Sequence, residues 1–313
     1  MEAIGEGDLR MSDSGGGVVG QVTESTKLQT SALAADVLSD NSRPEAREEV
    51  CAPGHGVTMP PWPRVSVVMP TLNEAKNLPH VMAKLPHRLH EVIVVDGFST
   101  DDTVDVARVL RPTAKIVLQT RPGKGEALRR GFEAATGDII VMLDADGSAD
   151  PEEIPAFVEA LLDGVDFAKG SRFRGGGGSD DLTRLRRVGN FGLNCAVNVL
   201  FRTSYSDLCY GYNAFWRSCL DVMCIDCTGF EVETMINIRI ARAGLITREV
   251  ASFESKRIHG QSNLRTFRDG GRVLRTILRE RLRRAPGTSQ PPARTAATAA
   301  SELTELAVAP ENT

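Results

Sequence analysis

Asp144 and Asp146 stand one residue apart at the end of an apolar run, Ile139–Ile140–Val141–Met142–Leu143. Five apolar residues in succession read as a strand buried on both faces, and such strands deliver chemistry at their carboxyl ends, where a sheet opens into a crevice. Alternation along an extended chain turns both carboxylates to one side. Paired hard oxygens are what a Mg²⁺ or Mn²⁺ carrying a substrate diphosphate requires. The competing use for acids here is a helix cap and a polar turn. Asp150–Pro151–Glu152–Glu153 already supplies that cap, with proline at the first helical position and acids in the first turn.

Three further segments carry ligand chemistry. Pro70–Thr71–Leu72–Asn73–Glu74 can wrap a base or ribose with the unpaired backbone groups of a helix entry. Asp96 closes another apolar run, and its carboxylate suits the imide or amide edge of a nucleobase, whereas Ser99 and Asp101 read as helix caps. Arg121–Pro122–Gly123–Lys124–Gly125 joins bare backbone to two cations before a helix, a phosphate-binding combination. It is not a P-loop, because Glu126 stands where the Ser or Thr after the lysine belongs and the first glycine is misplaced.

The elements that must position these residues follow from periodicity. Val65–Met69 precedes Glu74 to Leu85, where Leu78, Val81, Met82 and Leu85 fall at helical spacing. The alternation recurs as Glu91–Asp96 then Asp101–Leu110, Lys115–Gln119 then Lys124–Thr136, and Asp138–Leu143 then Pro151–Leu162. Four such units predict an α/β fold with a mostly parallel central sheet flanked by helices, its strand ends brought to one edge by right-handed crossovers. Beyond them lie the Gly175–Gly178 run, an arginine-dense amphipathic stretch from Leu182 to Arg202, and a region with fewer, irregular strands. Asn263 to Arg284 reads as a helix with eight arginines against Asp269 and Glu280, net +6, which suits an anionic surface; a docked helix with solvated arginines is the alternative.

The 313 residues, 41% of them hydrophobic, are enough for one domain with tails. Residues 1–59 carry ten acids and four bases without periodicity, and 285–313 are rich in Pro, Thr and Ala, so both are predicted to be disordered around a catalytic domain at 60–284. No stretch approaches the roughly eighteen apolar residues of a membrane span, and the acidic start lacks a signal peptide's basic region. A cytoplasmic protein is expected, peripheral at the inner face of the membrane if the final helix binds there. Nothing points to nucleic acid. Six cysteines are too few for a disulfide framework, and Cys224–Ile225–Asp226–Cys227 has no second pair to complete a zinc site.

With these motifs in place, the chain resembles the inverting family 2 glycosyltransferases of the GT-A fold, and among them the dolichyl- or polyprenyl-phosphate sugar synthases. The resemblance runs in order through Val68–Glu74, Val94–Asp101, Arg121–Gly125, Asp144–Ala145–Asp146, Gly170–Ser171–Arg172–Phe173, Asp207–Phe215 and His259–Gly260–Gln261–Ser262. It implies a GT-A nucleotide-diphospho-sugar transferase fold in which Pro70, Leu72, Glu74 and Asp96 hold the nucleoside and Lys124 approaches the diphosphate. Asp144 and Asp146 would position a Mg²⁺ or Mn²⁺, with Asp144 also facing the donor. Arg172 would meet the acceptor phosphate. His259 would reach the diphosphate as a third candidate at the metal, the alternative being an ordinary solvated loop histidine. The chain departs from many relatives at Gly97, where they carry a second acid, at Phe98, where they carry glycine, and at Gly147–Ser148. It also shows no membrane-spanning extension after the catalytic domain, so a lipid acceptor would be met at the surface.

The expected reaction moves a hexose from a donor of the GDP-mannose or UDP-glucose type to a polyprenyl-phosphate-like acceptor. A phosphate acceptor is already anionic and needs no protein base, so cationic positioning is the main demand. Arg172, Arg184, Arg186, Arg187 and Arg202 are placed to meet it, Arg172 first, then Arg187 and Arg184. A hydroxyl acceptor, as in polysaccharide or secondary-metabolite synthesis, would instead need a base among Asp207, Glu231 and Glu233. A third reading is a non-catalytic sugar-nucleotide-binding protein.

Overall fold

The computed structural model describes residues 62–262 and 265–283. The tails expected at 1–59 and 285–313, the two ends of the 60–284 span, and Asn263 and Leu264 lie outside the described residues.

Each apolar run becomes a strand and each 3.6-period segment a helix. The first half alternates β1 (Val65–Thr71), α1 (Leu78–Ala83), β2 (Glu91–Asp96), α2 (Thr103–Leu110), β3 (Lys115–Leu118), α3 (Lys124–Ala134), β4 (Ile139–Met142) and α4 (Ile154–Leu162). The second half contains β5 (Phe167–Ser171), β6 (Gly178–Ser179), α5 (Arg184–Phe201), β7 (Asn213–Trp216), α6 (Leu220–Met223), α7 (Val232–Arg242), β8 (Thr247–Ala251), β9 (Phe253–Glu254) and α8 (Thr266–Leu282). Asp150 caps the helical turn leading into α4, its carboxylate accepting from Glu152 N at 3.1 Å, as the Asp-Pro-Glu-Glu sequence predicts.

Seven strands form one sheet in the order β3-β2-β1-β4-β7-β5-β8. Pairing is parallel from β3 through β4, and β5 is parallel to β8. Only β7 runs against its neighbours, wedged between β4 and β5. Helices bury the sheet on both sides, so β4 is apolar throughout and β1 and β2 are apolar over Val67–Met69 and Val92–Val95. Phe215 of β7 stacks on Phe167 of β5 at 5.8 Å and receives Phe132 of α3 edge-on at 5.3 Å.

Helix α1 is shorter than the Glu74–Leu85 span expected from sequence. Asn73 takes a left-handed conformation, φ +59°, and Glu74–Asn77 turn before the helix begins. Asn73 N donates to Ser99 Oγ at 2.9 Å and Thr100 N donates to Asn73 Oδ1 at 2.8 Å, which ties the ends of β1 and β2 together. Asp101 does not simply cap a helix either, since it accepts from both Thr103 N and Ala75 N.

The arginines of α8 are used differently from the plain basic surface that its net charge suggests. Glu280 is fully buried and accepts from Arg239 Nη2 at 2.7 Å; Arg239 also meets Asp226, which receives Arg279 and Arg283 as well. Arg272 pairs with Glu231 at 3.0 Å. Arg272 and Arg279 of the helix, with Arg283 just past its end, therefore fasten it to α7 and the loop before it, while Arg268, Arg275 and Arg281 are exposed. No helix among the described residues is long and apolar enough to cross a membrane.

Candidate active site

The carboxyl ends of β1, β2, β4 and β5 open into a cavity of about 710 Å³. Pro70, Leu72, Glu74, Lys124, Asp144, Asp146 and Arg172 all line it. β4 ends at Met142, so the two aspartates reach the cavity through a turn, not through the strand alternation that the sequence suggests. Asp146 Oδ1 closes that turn by accepting from Ser148 N at 3.0 Å.

Both aspartates are already paired with cations. Lys124 Nζ lies 2.7 Å from Asp144 Oδ1 and 2.8 Å from Glu233 Oε1 on α7. Burial works against the lysine's charge, but the two carboxylates outweigh it and raise its pKa. Burial pushes Glu233 up in turn, opposed by Lys124. Arg257 bridges Glu74 Oε1 at 2.9 Å and Asp146 Oδ2 at 3.0 Å. Glu74 is pushed up by burial, against its bonds to Asn77 and Arg257. Asn77 also exchanges two hydrogen bonds with the backbone of His259, which fixes the loop from Lys256 to Ser262 beside the helix entry.

Glycines let these groups approach. A side chain at Gly211 would meet Lys124 Nζ at 2.9 Å, Glu233 Oε1 at 3.2 Å and Asp144 Oδ2 at 3.3 Å. Gly123 sits at φ +119° against the carbonyl of Thr228, and Gly125 N donates to that carbonyl at 2.9 Å. The bare backbone of Arg121–Gly125 is thus partly covered by the Cys227–Thr228 segment, and Arg121 turns back to Glu126 at 3.0 Å. Lys124 is the cation of this motif that reaches the cavity.

Asp96 lies just behind the lining. Its Oδ2 accepts from Ser99 N at 3.1 Å, while Oδ1 is buried without a protein partner, a free acceptor of the kind an imide or amide edge would satisfy. The departures at Gly97 and Phe98 have steric meaning. A side chain at position 97 would strike Gln119 Oε1, and Phe98 adopts φ +67°, a conformation that glycine takes without strain.

Arg172, also on the cavity lining, is almost fully committed to the protein. It donates to Asp207 through Nε at 2.7 Å and Nη2 at 2.9 Å, and to Glu254 through Nη1 at 2.9 Å, over the ring of Tyr210. Burial opposes this guanidinium's charge, yet Asp207 and then Glu254 hold its pKa up; burial likewise opposes the Asp207 charge, and Arg172 holds that pKa down. Asp207, one of the three acids considered as a base, is fully buried and also receives Asn190 at 2.9 Å, so it serves to hold Arg172.

Besides Asp96, three expected site residues are absent from the cavity lining. Arg184 and Arg187 are exposed on α5, whose buried face runs through Asn190, Asn194 and Val197. Helical spacing from that face selects Arg186, which lines the cavity beside Asn190. His259 is exposed, with its ring against His80 at 5.9 Å, while the adjacent Gly260 and Gln261 line the cavity. Among the described residues no group of three His, Cys, Asp or Glu stands close enough to hold a metal. The donor chemistry nevertheless fits Mg²⁺ or Mn²⁺, since such ions are commonly held by one or two carboxylates and completed by substrate phosphates. Arg257 was not visible from sequence: a single arginine in a polar loop carries no spacing signal.

Residues 66–223 match the family model of glycosyl transferase family 2. The chain is 32% identical over 227 residues to the glycosyltransferase AglJ of Haloferax volcanii, covering 71% of this chain and 73% of that one. Over 132 residues it is 36% identical to a dolichol-phosphate mannosyltransferase of Pyrococcus furiosus, 40% of this chain and 38% of the relative. The glucosyl-3-phosphoglycerate synthase of Mycobacterium tuberculosis, solved with phosphoglyceric acid, superposes with a TM-score of 0.57 at 27% identity, over 70% of this chain and 80% of that one. The same synthase has been solved with Mn²⁺, uridine diphosphate and glucosyl-3-phosphoglycerate. The chain belongs to glycosyl transferase family 2, with the GT-A fold, and is a glycosyltransferase.

Proposed function

We propose that this enzyme transfers a hexose, with inversion, from a nucleotide-diphosphate sugar of the GDP-mannose or UDP-glucose type to the phosphate of a polyprenyl-phosphate-like acceptor. The observation that carries the reading is two sets of cations lining one cavity: Lys124 and Arg257, paired with Asp144 and Asp146, and Arg172 and Arg186, which Asp207 and Asn190 connect on the α5 side. Two sets of cations suit a diphosphate leaving group and an anionic acceptor held in the same cavity. Dolichol-phosphate mannosyltransferase, by its name, uses a lipid phosphate, and the synthase solved with phosphoglyceric acid binds a small phosphate-bearing molecule.

In this reading the nucleoside rests on Pro70, Leu72 and Glu74, with the unpaired Asp96 Oδ1 accepting from the base. The acceptor oxygen attacks the anomeric carbon from the face opposite the diphosphate; a new C–O bond forms as the bond to the diphosphate breaks, and the electron pair leaves with the nucleoside diphosphate. No proton has to be removed from an ionised phosphate. Lys124 and Arg257 exchange carboxylate partners for phosphate oxygens, placing positive charge where negative charge develops. A divalent cation held by Asp144 and Asp146 would, when bound, neutralise further charge on the leaving group. Arg172, oriented by Asp207, and Arg186 position the acceptor.

A hydroxyl acceptor remains the second reading. It is favoured by Glu233, which lines the cavity and whose pKa is pushed up by burial in the direction a base near neutrality needs. Labelled GDP-mannose and UDP-glucose incubated with the enzyme and a membrane extract separate the two. Label extracted into organic solvent supports the lipid-phosphate acceptor, and label confined to the aqueous phase overturns it.

A further inference from the structure

Helices α5 and α8 each have two apolar faces, and only one of each is used by the protein. Their inner faces meet through Val197, Val273 and Ile277 in a small core shared with Ile238 of α7. On the outside, α5 leaves Val188, Phe191 and Val199 exposed at 69%, 68% and 79%, and α8 leaves Phe267 and Leu282 exposed at 82% and 85%, with Leu274 and Leu278 half exposed between them. Steps of seven, four and four residues from Phe267 to Leu282 keep those side chains in one sector of the helix. Large aliphatic and aromatic groups in such rows on two adjoining helices differ from the scattered single exposures of an ordinary surface.

The charge on these faces has one sign. Helix α5 contains no acid, and the two acids of α8, Asp269 and Glu280, are both buried. Arg268, Arg275 and Arg281 of α8 are exposed beside the apolar row, and Arg184 and Arg187 flank that of α5. A second copy of the chain would set these arginines against their own equivalents. Anionic headgroups complement them, while the apolar rows suit the boundary with the acyl chains. The same two helices wall the acceptor end of the cavity through Arg186, Asn190 and Val273.

We propose that the outer faces of α5 and α8 together form a platform that lies on an anionic lipid bilayer, with the acceptor end of the cavity held at headgroup level. This extends the expectation of contact through the final helix alone, and it deepens the lipid-acceptor reading by naming where that acceptor would enter. Sedimentation of the full chain with vesicles of phosphatidylcholine, alone or with phosphatidylglycerol, tests it. Binding is expected to the mixed vesicles and to weaken with salt. Val188→Glu with Phe191→Glu on α5, and Leu274→Glu with Leu278→Glu on α8, should each lower the partition coefficient about tenfold or more. Arg275→Glu with Arg281→Glu should lower it mainly at low salt. Circular dichroism and nucleotide binding should stay unchanged, because these side chains point away from the core and the cavity.

Equal binding by wild type and all three variants, no binding to mixed vesicles, or a dimer that the same substitutions dissociate without any vesicle binding would each overturn the platform. The acceptor reading fails separately. Vesicle binding without transfer of sugar to lipid leaves the platform standing, and transfer to a detergent-dispersed lipid phosphate by a protein that ignores vesicles removes the platform alone.

Discussion

Lys124 and Asp144, twenty residues apart in sequence, form an ion pair of 2.7 Å at the cavity wall, with Glu233 completing the lysine's surroundings at 2.8 Å. The lysine places positive charge beside Asp144 on the cavity wall. It neutralises two carboxylates that would otherwise repel one another in a partly buried site. In the proposed reading, donor binding exchanges these ion partners on a preorganised frame.

That exchange makes the roles of the two residues separable. Asp144→Ala should lower turnover by about a hundredfold or more and weaken metal-dependent nucleotide binding, since in the proposed mechanism it removes a charge-stabilising element of the leaving-group site. Lys124→Met should also lower turnover, and it leaves Glu233 buried beside Asp144 without a cation, so its thermal stability should fall as well. Initial rates with each candidate donor, combined with melting curves, check both. Full activity in Asp144→Ala would remove the aspartate from the reaction.

Arg257 gives a prediction with the opposite sign. It holds Asp146 and Glu74 at 3.0 and 2.9 Å, so if Asp146 serves the metal as proposed, Arg257 would compete with that ion until phosphate oxygens drew it away. Arg257→Ala should therefore bind Mn²⁺ more tightly than wild type without nucleotide, and bind nucleoside diphosphate more weakly in its presence. Titration calorimetry of the metal alone and of the nucleotide with metal reads the two effects separately. Unchanged Mn²⁺ affinity would mean that Asp146 does not serve the metal.

The contrast between Arg257 and Arg186 shows what sequence can and cannot reveal here. The parallel strands and their helices were legible because runs such as Val65–Met69 and Ile139–Leu143, and the spacing of Leu78, Val81, Met82 and Leu85, encode burial locally. Arg186 was legible in principle: Thr183 caps α5, and counting turns from it puts positions 186, 190, 193 and 197 on one face. The antiparallel entry of β7 between β4 and β5 was not, because it depends on pairing Asn213–Trp216 with strands more than forty residues away. Arg257 is legible only once the loop after β9 is laid across the carboxyl edge of the sheet.

Arg172 and Asp207 provide a test of positioning against contact. Both are buried, and Asp207 supplies two of the three hydrogen bonds that fix the guanidinium. Asp207→Asn leaves a buried arginine undercompensated and should destabilise the fold by about 3 kcal/mol or more. Kinetics below the lowered melting temperature should show a larger rise in KM for the acceptor than for the donor. Equal effects on both substrates would assign Asp207 a structural role only.

Acid lability follows from two carboxylates that lock the first half of the sheet. Burial alone would raise the Glu91 pKa, but Lys115, Ser66 and Thr136 more than reverse this and hold it at about 2. Glu126 is held at about 2 chiefly by its hydrogen bond from Arg129, with help from Thr120 and Arg121. In the unfolded chain both titrate near 4.5, so the folded state releases these protons more readily. Their contribution is fully present above that pH and is lost as pH falls towards 2. Each is worth about 1–2 kcal/mol once screening by solvent is allowed for. Glu91→Gln and Glu126→Gln should accordingly be less stable than wild type at pH 7 and converge on it towards pH 2, as measured by urea unfolding across that range. Burial raises Glu74, Glu153 and Glu233, which act in the opposite direction and favour the fold as they protonate. A constant stability gap between wild type and the two variants at every pH would show that neither carboxylate is held ionised by its partners.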